Sequence, residues 1–382
     1  MNLFDNKLLM KKLLAICIPT YKRPDTLRRC IHSVVTQIQH FGMEEHVQIY
    51  IANDASPDNT AQVLSEFETL NCFKCVNREK NLGMSANIKC MLEEAMQKSI
   101  YQLIITDDDY LQPDCLASTV AFLQVQLVTC PEVPFIWTPR YSYTEDGKLL
   151  NVMCRPFKKD SLIPPSSRNA GRYMFNGFIL SGVIIKSGEI DFALWNEYLD
   201  NAYFPVIYSG DLMLRKPSLF WDKNIIHHSV LNECHWESWG RSDAEINLRL
   251  FVDFMNAYAV IERKIKPALQ SVLFYVLAFP GISQFIQGIL ISNSGFSRLS
   301  ETESTELLQI DRVSIAQIRS PARVIIFFAL TKILPVCLVK MAIFKTLSFL
   351  PAARSKQNIR HKKIMQYRQQ LANVVFLTRW VK

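Results

Sequence analysis

The chain has 382 residues, a hydrophobic content of 49% and a formal net charge of +8. This length allows two or three domains, and the hydrophobic content excludes an intrinsically disordered protein because it supplies a full core. The ten cysteines include only one close pair, Cys72 and Cys75, so no zinc cluster is complete. The short apolar patch at residues 8–10 precedes Lys11 and Lys12, which reverses the order of a secretory signal. We therefore expect reduced thiols and a cytoplasmic location.

Four apolar runs alternate with helical patterns over the first part of the chain. The runs cover residues 13–19, 47–52, 73–77 and 101–105, and the helical patterns begin at Pro24, at Ser56 as the N-cap, and near Ser85. Strands that alternate with helices at this spacing predict a parallel, doubly wound sheet. Ligands bind such sheets at the carboxyl ends of the strands. The loops that should face one site are 20–23, 53–55, 78–83 and 106–110.

The second half of the chain has a different pattern. Short apolar runs at 133–137 and 178–185, separated by aromatic-rich loops, predict an antiparallel extension of the sheet. From about Asp243 the pattern is helical. We therefore divide the chain into an α/β domain over 1–240 and a helical region over 241–382.

Three consecutive carboxylates, Asp107, Asp108 and Asp109, follow the fourth apolar run. Adjacent carboxylates repel one another unless a cation or strong hydrogen-bond donors neutralise them. Mg²⁺ and Mn²⁺ favour one or two carboxylates together with diphosphate oxygens. The triplet alone is therefore either a divalent-metal site or a solvated acidic turn.

Four motifs in order resemble the family 2 glycosyltransferases. They are Ile18-Pro19-Thr20-Tyr21-Lys22-Arg23, Ile51-Ala52-Asn53-Asp54-Ala55-Ser56, Asn81-Leu82-Gly83 with Asn87, and the acidic triplet followed by Pro113. The resemblance covers about residues 13–120. It implies a GT-A fold, which is a Rossmann-like, doubly wound, mixed α/β sheet, here followed by the helical C-terminal region. It also implies inverting transfer from a nucleoside diphosphate sugar with Mg²⁺ or Mn²⁺ as cofactor, with residues 13–120 as the donor half and 121–240 as the acceptor half.

The resemblance assigns the nucleoside contacts by position. Pro19, Thr20 and Tyr21 would line the nucleoside pocket, and Asp54 would accept a hydrogen bond from the base. The alternative is that these residues only shape the end of a strand and a turn.

The charged groups of the same motifs would hold the diphosphate and the metal ion. Asp107 and Asp108 would contact ribose or phosphate, and Asp109 would be the metal ligand. Arg23 and Arg78 would contact the diphosphate, although an ordinary surface arginine is an equal alternative.

An inverting transfer needs a carboxylate that removes the proton from the acceptor hydroxyl. The family places this base at a helix start, and residues 209–215 most resemble that motif, which makes Asp211 the candidate. Gly210 replaces the acidic residue that usually precedes it, so three other carboxylates compete for the role. They are Asp191, Glu197 and Asp200.

Three histidines, His227, His228 and His235, lie where some relatives carry a histidine that assists with metal or phosphate. No carboxylate or cysteine completes a ligand set at short spacing, so the sequence favours a structural role for them.

Two C-terminal features suggest a membrane surface. The stretch 267–297 carries no charge but is broken by Pro280-Gly281, which favours two packed or interfacial helices over one membrane span. Residues 340–382 contain ten Lys or Arg and no Asp or Glu. Such basic amphipathic segments bind anionic lipid. We favour this partner over nucleic acid, because no nucleic-acid motif accompanies the charges.

The sequence therefore predicts a glycosyltransferase at the inner face of the cell membrane. It would transfer a sugar to a saccharide acceptor, which we expect to be lipid-linked, during synthesis of a surface polysaccharide such as O-antigen or capsule. The alternative is a nucleotide-binding or regulatory protein that has the GT-A fold and no transfer activity.

Overall fold

A computed structural model describes residues 11–143, 149–177, 180–229, 253–254 and 256–265. In chain order the elements are β1 (Lys12–Thr20), α1 (Pro24–Phe41), β2 (Val47–Asn53), α2 (Thr60–Ser65), β3 (Phe73–Asn77), α3 (Met84–Lys98), β4 (Ser99–Ile104), β5 (Tyr110–Leu111), α4 (Cys115–Thr129), β6 (Phe135–Trp137), β7 (Arg140–Tyr143), β8 (Leu149–Cys154), β9 (Ser161–Ile163), α5 (Ser167–Tyr173), a 3₁₀ turn (Met174–Gly177), β10 (Val183–Lys186), α6 (Phe192–Asn196), α7 (Phe204–Arg215), β11 (Ser218–Phe220) and β12 (Ile226–Ser229). Residues 253–254 and 256–262 are also helical.

The main sheet is mixed, with eight strands in the order β3-β2-β1-β4-β10-β6-β11-β9. The first four strands in this order are parallel, and β10 pairs antiparallel with both β4 and β6. Thr20 pairs with Asn53, and Cys17 pairs with Ile104. The carboxyl ends of β1, β2 and β4 therefore lie side by side, and the prediction of a doubly wound, mixed GT-A sheet is confirmed.

The central strands are apolar without alternation because helices cover both of their faces. All six residues of β4 are buried, and so are residues 13–18 of β1. Helix α1 begins with Pro24 in its first turn, where the missing N–H costs little, and ends at Gly42 with φ +60°. Its apolar side packs into the same core cluster as β1 and β2. This packing fixes the end of β1 and the loop after it.

A second sheet, of four strands in the order β5-β12-β7-β8, was not predicted. In it, His227 of β12 pairs with Tyr110 of β5, and His228 pairs with Ser142 of β7. Strand β5 directly follows the acidic triplet. The second sheet therefore brings the two histidines to the carboxyl end of β4.

Two boundaries differ from the sequence prediction. Helix α2 begins at Thr60 and not at Ser56, because the Asp58 carboxylate accepts the Thr60 N–H at 3.1 Å and ends the turn there. The apolar run predicted at 178–185 yields only the short strand β10 in the described chain. The basic region 340–382 and the uncharged stretch 267–297 lie outside the described residues. No helix within the described ranges is long and apolar enough to cross a membrane.

Helix α7 is held at both ends by the 253–264 segment. The Asp253 carboxylate accepts the Ala202 N–H at 3.0 Å just before the helix, and Lys264 donates to Asp211 at 2.6 Å near its other end. Between them Gly210 permits close approach, because a Cβ there would lie 2.7 Å from Cγ1 of Ile261. This segment belongs to the same compact unit as residues 1–239.

We predict that Gly177→Ala lowers the free energy of unfolding by about 1–3 kcal/mol, a typical cost of overpacking. An added Cβ would lie 2.6 Å from the Cβ of Ser209 on α7, which real contacts do not allow. Denaturant unfolding measures the loss. Ser209→Gly alone should lower the free energy of unfolding by about 1 kcal/mol, because glycine is unfavourable within a helix. In the double variant Ser209→Gly removes the clash. The double variant should therefore lose less free energy of unfolding than the two single variants together. Strictly additive losses would contradict the overlap.

Candidate functional site

Three loops meet around Asp107 at the carboxyl ends of the parallel strands. The Thr20 hydroxyl donates to Oδ2 of Asp107 at 2.7 Å, and the Tyr21 backbone N–H also donates to this carboxylate. The Asp54 N–H donates to the carbonyl of Thr20 at 3.0 Å. Pro19, at the end of β1, is partly buried. The structure thus gathers the nucleoside-pocket candidates at one place.

Arg23 neutralises two of the three adjacent carboxylates. Its guanidinium lies 3.1 Å from Asp107 and 2.8 Å from Asp108. Burial raises the pKa of the Asp107 carboxyl to about 6, with Arg23 opposing the rise and the neighbouring Asp108 adding to it. A further positive charge at the triplet would lower that pKa. The site therefore favours the entry of a cation.

Asp109, the third carboxylate, faces a histidine from the second sheet. Its Oδ2 lies 2.9 Å from Nδ1 of His228 and accepts the Thr106 hydroxyl at 3.2 Å. Asp109 and His228 are both buried. Nε2 of His228 is also buried and has no hydrogen-bond partner among the described residues. Because Nδ1 faces Asp109, Nε2 points to the opposite side of the ring from this carboxylate.

The neighbouring residue, His227, lies in a stack of aromatic rings. The His227 ring stacks between Tyr110, at a centroid distance of 4.1 Å, and Tyr143, at 4.5 Å. The Arg29 guanidinium lies over the other face of Tyr110 at 4.9 Å and also donates to the carbonyl of Asp108 at 3.3 Å. This stack joins α1, β5, β7 and β12 beside the acidic triplet.

Asp54 closes the third loop of the site. Its two carboxylate oxygens accept the Leu82 N–H at 2.8 Å and the Gly83 N–H at 2.9 Å. Gly83 has φ +84°, a backbone conformation that L side chains rarely adopt. The carboxylate thus fixes the 81–83 loop, and its predicted contact with a nucleotide base stays a prediction.

The side chain of Arg78 bonds to α3. It pairs with Glu94 at 2.8 Å and donates through Nε to Asn87 at 3.1 Å, and its side chain is only 13% exposed. Burial raises the pKa of Glu94, but hydrogen bonds from Tyr50 and Arg78 outweigh this effect and leave the pKa below its usual value. These bonds tie Arg78 to α3, and its predicted diphosphate contact stays a prediction.

Asp211 is not placed as a general base. Its side chain is 3% exposed, Oδ1 accepts from Lys264 at 2.6 Å, and Oδ2 accepts from Arg215 at 2.7 Å. It also lies in the interior of α7 and not at a helix start. Two ion pairs therefore occupy the carboxylate that the motif selected.

The competing carboxylates lie before α7. Asp191 caps α6 by accepting the Leu194 N–H at 3.0 Å, whereas Glu197 and Asp200 are exposed. The indole of Trp195 in α6 donates to Ser85 of α3 at 3.0 Å, so α6 lies next to the 81–83 loop. The segment that carries these carboxylates therefore borders the 81–83 loop of the site.

A sequence comparison identifies the N-terminal part of the chain. Residues 15–173 match the model of glycosyl transferase family 2. This segment, less than half of the chain, is similar to family 2 glycosyltransferases. A 114-residue segment is 25% identical to the abequosyltransferase RfbV of Salmonella typhimurium, covering 30% of this chain and 33% of that protein. A 112-residue segment is 30% identical to the minor teichoic acid biosynthesis protein GgaA of Bacillus subtilis, covering 29% and 24%. The chain thus matches a third or less of these relatives.

Solved structures support the fold. The crystal structure of S. aureus TarS 1-349 in complex with UDP-GlcNAc matches with a TM-score of 0.57 and 15% identity, over 81% of this chain and 82% of that one. The uncomplexed TarS 1-349 matches with a TM-score of 0.54. At such low identity the likeness shows the GT-A fold and no more.

Sequence reasoning missed two residues beside the acidic triplet. Thr106 and Ser181 share a hydrogen bond of 2.8 Å beside Asp109, although they are 75 positions apart. Neither follows a recognisable motif. His228 was named, but its partner Asp109 is 119 positions away, so no local spacing signalled the pair.

The residues at Asp109 fit a divalent ion that is shared with a substrate. No group of three or more His, Cys, Asp or Glu side chains forms a complete metal site in the described ranges. A site that binds Mg²⁺ or Mn²⁺ through one or two protein ligands and diphosphate oxygens does not need such a group. Asp109 would be such a ligand, and His228 would hold its carboxylate in place through Nδ1.

Proposed function

We propose that the protein is a glycosyltransferase that moves a sugar from a nucleoside diphosphate sugar to a saccharide acceptor, with inversion and with a divalent cation. The observation that carries this proposal is the Asp107–Asp109 triplet, with Arg23 and His228 around it, at the carboxyl ends of the parallel strands in the segment that is similar to family 2. Ligands bind doubly wound sheets at this edge.

The named relatives support a sugar nucleotide as the donor. RfbV is an abequosyltransferase, and TarS 1-349 forms a complex with UDP-GlcNAc. In our proposal Pro19, Thr20, Tyr21 and Asp54 face the nucleoside. The Arg23 guanidinium, which already bridges two carboxylates, also reaches the diphosphate.

In the same proposal Asp109 holds Mg²⁺ or Mn²⁺, and His228 fixes the Asp109 carboxylate through Nδ1. When bound, such an ion neutralises the charge that develops on the departing diphosphate. Asp107 and Asp108 keep the negative potential that attracts the ion, and Arg23 limits their mutual repulsion. The buried setting of Asp109 and His228 strengthens these interactions, because water does not screen them.

We expect Mn²⁺ or Mg²⁺ to stimulate release of a nucleoside diphosphate from one donor in a panel of UDP, GDP, CDP and dTDP sugars. Asp109→Asn and His228→Ala should abolish this release and weaken nucleoside diphosphate binding only when metal is present, because both act through the ion. Calorimetry with and without Mn²⁺ measures the difference. His40→Ala, in an exposed position at the end of α1, is the control. No release from any donor would favour a nucleotide-binding protein without transfer activity.

We propose that Asp200, and not Asp211, accepts the proton of the acceptor hydroxyl. Asp200 is exposed and lies just before α7, where the family places its base at a helix start. Asp200→Asn should lower turnover about a hundredfold or more, with donor affinity nearly unchanged.

Asp211→Asn should instead reduce the free energy of unfolding by roughly 1–3 kcal/mol. The side chains of its partners, Arg215 and Lys264, are 43% and 37% exposed, so water partly hydrates them once the ion pairs are lost. The loss of stability should therefore be smaller than for a fully buried ion pair. Turnover per folded molecule should stay close to the parent value. A folded Asp211→Asn enzyme without activity, beside an active Asp200→Asn enzyme, would restore Asp211 as the base.

We further propose that the acceptor is lipid-linked and that the protein is peripheral on the inner face of the cell membrane. The ten Lys or Arg residues in 340–382, without any Asp or Glu, support this location. GgaA, named for teichoic acid biosynthesis, supports a role in surface polysaccharide assembly such as O-antigen or capsule synthesis.

Deleting residues 354–382 should shift the protein from anionic vesicles to the soluble fraction. Exposed lysines are attracted to lipid head groups over about a Debye length, so high salt should release the parent protein as well. Vesicle flotation measures both effects. Metal-dependent donor binding should persist, because the donor motifs precede residue 120. Vesicle binding that survives both high salt and the deletion would point to the 267–297 stretch as an anchor.

A further inference from the structure

We propose that the loop over residues 155–160, together with Lys223, binds the phosphate that joins a lipid-linked saccharide acceptor to its lipid. The inference rests on the proposed function and deepens it, because it names the part of the acceptor that this loop recognises. The loop lies outside the four sequence motifs and contributes no residue to the candidate donor site.

The loop lies on the same edge of the main sheet as the acidic triplet. Strand β10 is antiparallel to both β4 and β6, so β6 runs in the direction of β4, and β11 runs parallel to β6. The carboxyl end of β11 therefore faces the edge at which β4 ends. Strand β9 is antiparallel to β11, with Ser161 opposite Phe220, so the loop that precedes β9 lies at this edge as well.

Hydrogen bonds hold the loop against the end of β11. The Asp222 N–H donates to Asp160 at 2.8 Å, and the Arg155 guanidinium binds the Asp222 carboxylate through two bonds of 2.8 and 2.7 Å. The chain then runs from Asp222 to β12, and on the way the carbonyl of Ile225 accepts the Gln112 N–H at 2.9 Å. The loop is therefore tied to the segment that leads back to the acidic triplet.

The loop and Lys223 carry positive charge that the protein does not neutralise. The two carboxylates at this place, Asp160 and Asp222, already accept the bonds described above. Lys158, Lys159 and Lys223 are exposed, and none of them forms an ion pair within the described part of the chain. Because Asp160 and Asp222 are bonded to each other, their sequence neighbours Lys159 and Lys223 also lie close together. Such a cluster of ammonium groups is suited to bind a phosphate.

The distance from the triplet assigns these lysines to a group other than the donor. Four strand spacings separate β4 from β9, which is about 19 Å at a spacing of about 4.8 Å. Exposed charges are largely screened beyond a Debye length, which is about 8 Å at physiological ionic strength. The lysines therefore do not neutralise a donor diphosphate at the triplet. The acceptor is the other substrate that meets this edge of the sheet, and a lipid-linked acceptor carries phosphate between its saccharide and its lipid.

The test measures the binding of farnesyl diphosphate, a short lipid diphosphate, to the full chain by calorimetry in EDTA. EDTA removes metal ions, so the acidic triplet does not attract the probe. We expect Lys158→Gln/Lys159→Gln/Lys223→Gln to bind the probe about tenfold more weakly than the parent, the effect of losing three exposed ion pairs. Farnesol, which has no phosphate, should not distinguish the two proteins. Thermal unfolding checks that the variant is folded.

The matched control is Lys98→Gln/Arg168→Gln/Arg172→Gln, which removes the same charge from exposed positions. Lys98 ends α3 where β4 begins, and Arg168 and Arg172 follow the carboxyl end of β9, so all three lie toward the opposite edge of the sheet. This variant should bind farnesyl diphosphate as the parent does. An equal loss in both triple variants would show an effect of net charge alone and would overturn the proposal.

Two further measurements separate the acceptor phosphate from the bilayer and from the proposed function. If the lysine variant binds farnesyl diphosphate like the parent but loses flotation with phosphatidylglycerol vesicles, the loop faces the bilayer and the proposal is overturned. If the parent does not bind the probe, although metal stimulates release of a nucleoside diphosphate from a donor, the proposal fails and the transferase stands. If the tenfold loss is found but no donor is cleaved, the phosphate site stands and the transferase fails.

Discussion

The structure around the candidate site depends on the neutralisation of three adjacent carboxylates at the end of β4. The loop after β1 satisfies two of them, and the second sheet satisfies the third. Asp107 is held by the loop after β1, Asp108 by the Arg23 guanidinium, and Asp109 by a histidine of the second sheet. Without these partners the negative charges would repel one another in a buried place. The triplet therefore acts as the point at which the two sheets are joined.

This requirement explains why the second sheet is present at the site. Strand β5 starts directly after the triplet, and its pairing with β12 sets His227 against Tyr110. The rings of Tyr110, His227 and Tyr143 stack next to this position. The second sheet thus brings His228 against Asp109 before any ligand arrives, and such preorganisation spares the cost of ordering the site on binding.

The charged residues of the domain divide into two groups with different tasks. Asp54, Arg78 and Asp211 have partners that serve the fold, because they close a loop, support a helix or hold α7 to the 253–264 segment. Arg23 and the acidic triplet have partners that gather around the ends of the strands. Motif position alone does not separate these groups, since both contain ionisable residues at loop and helix positions typical of the family.

The sequence by itself determined the parallel half of the fold and the place of the site. Apolar runs without alternation that alternate with helical patterns are typical of parallel strands, and the polar loops after such strands share one edge of the sheet. Only the tertiary structure decided which side chains meet there. The bond between His228 and Asp109 spans 119 positions, and the bond between Thr106 and Ser181 spans 75. One of the two ion pairs of Asp211 is formed by Lys264, which is 53 positions away. Contacts at such separations follow from how the sheets and helices pack, and no local period or spacing in a single sequence encodes them.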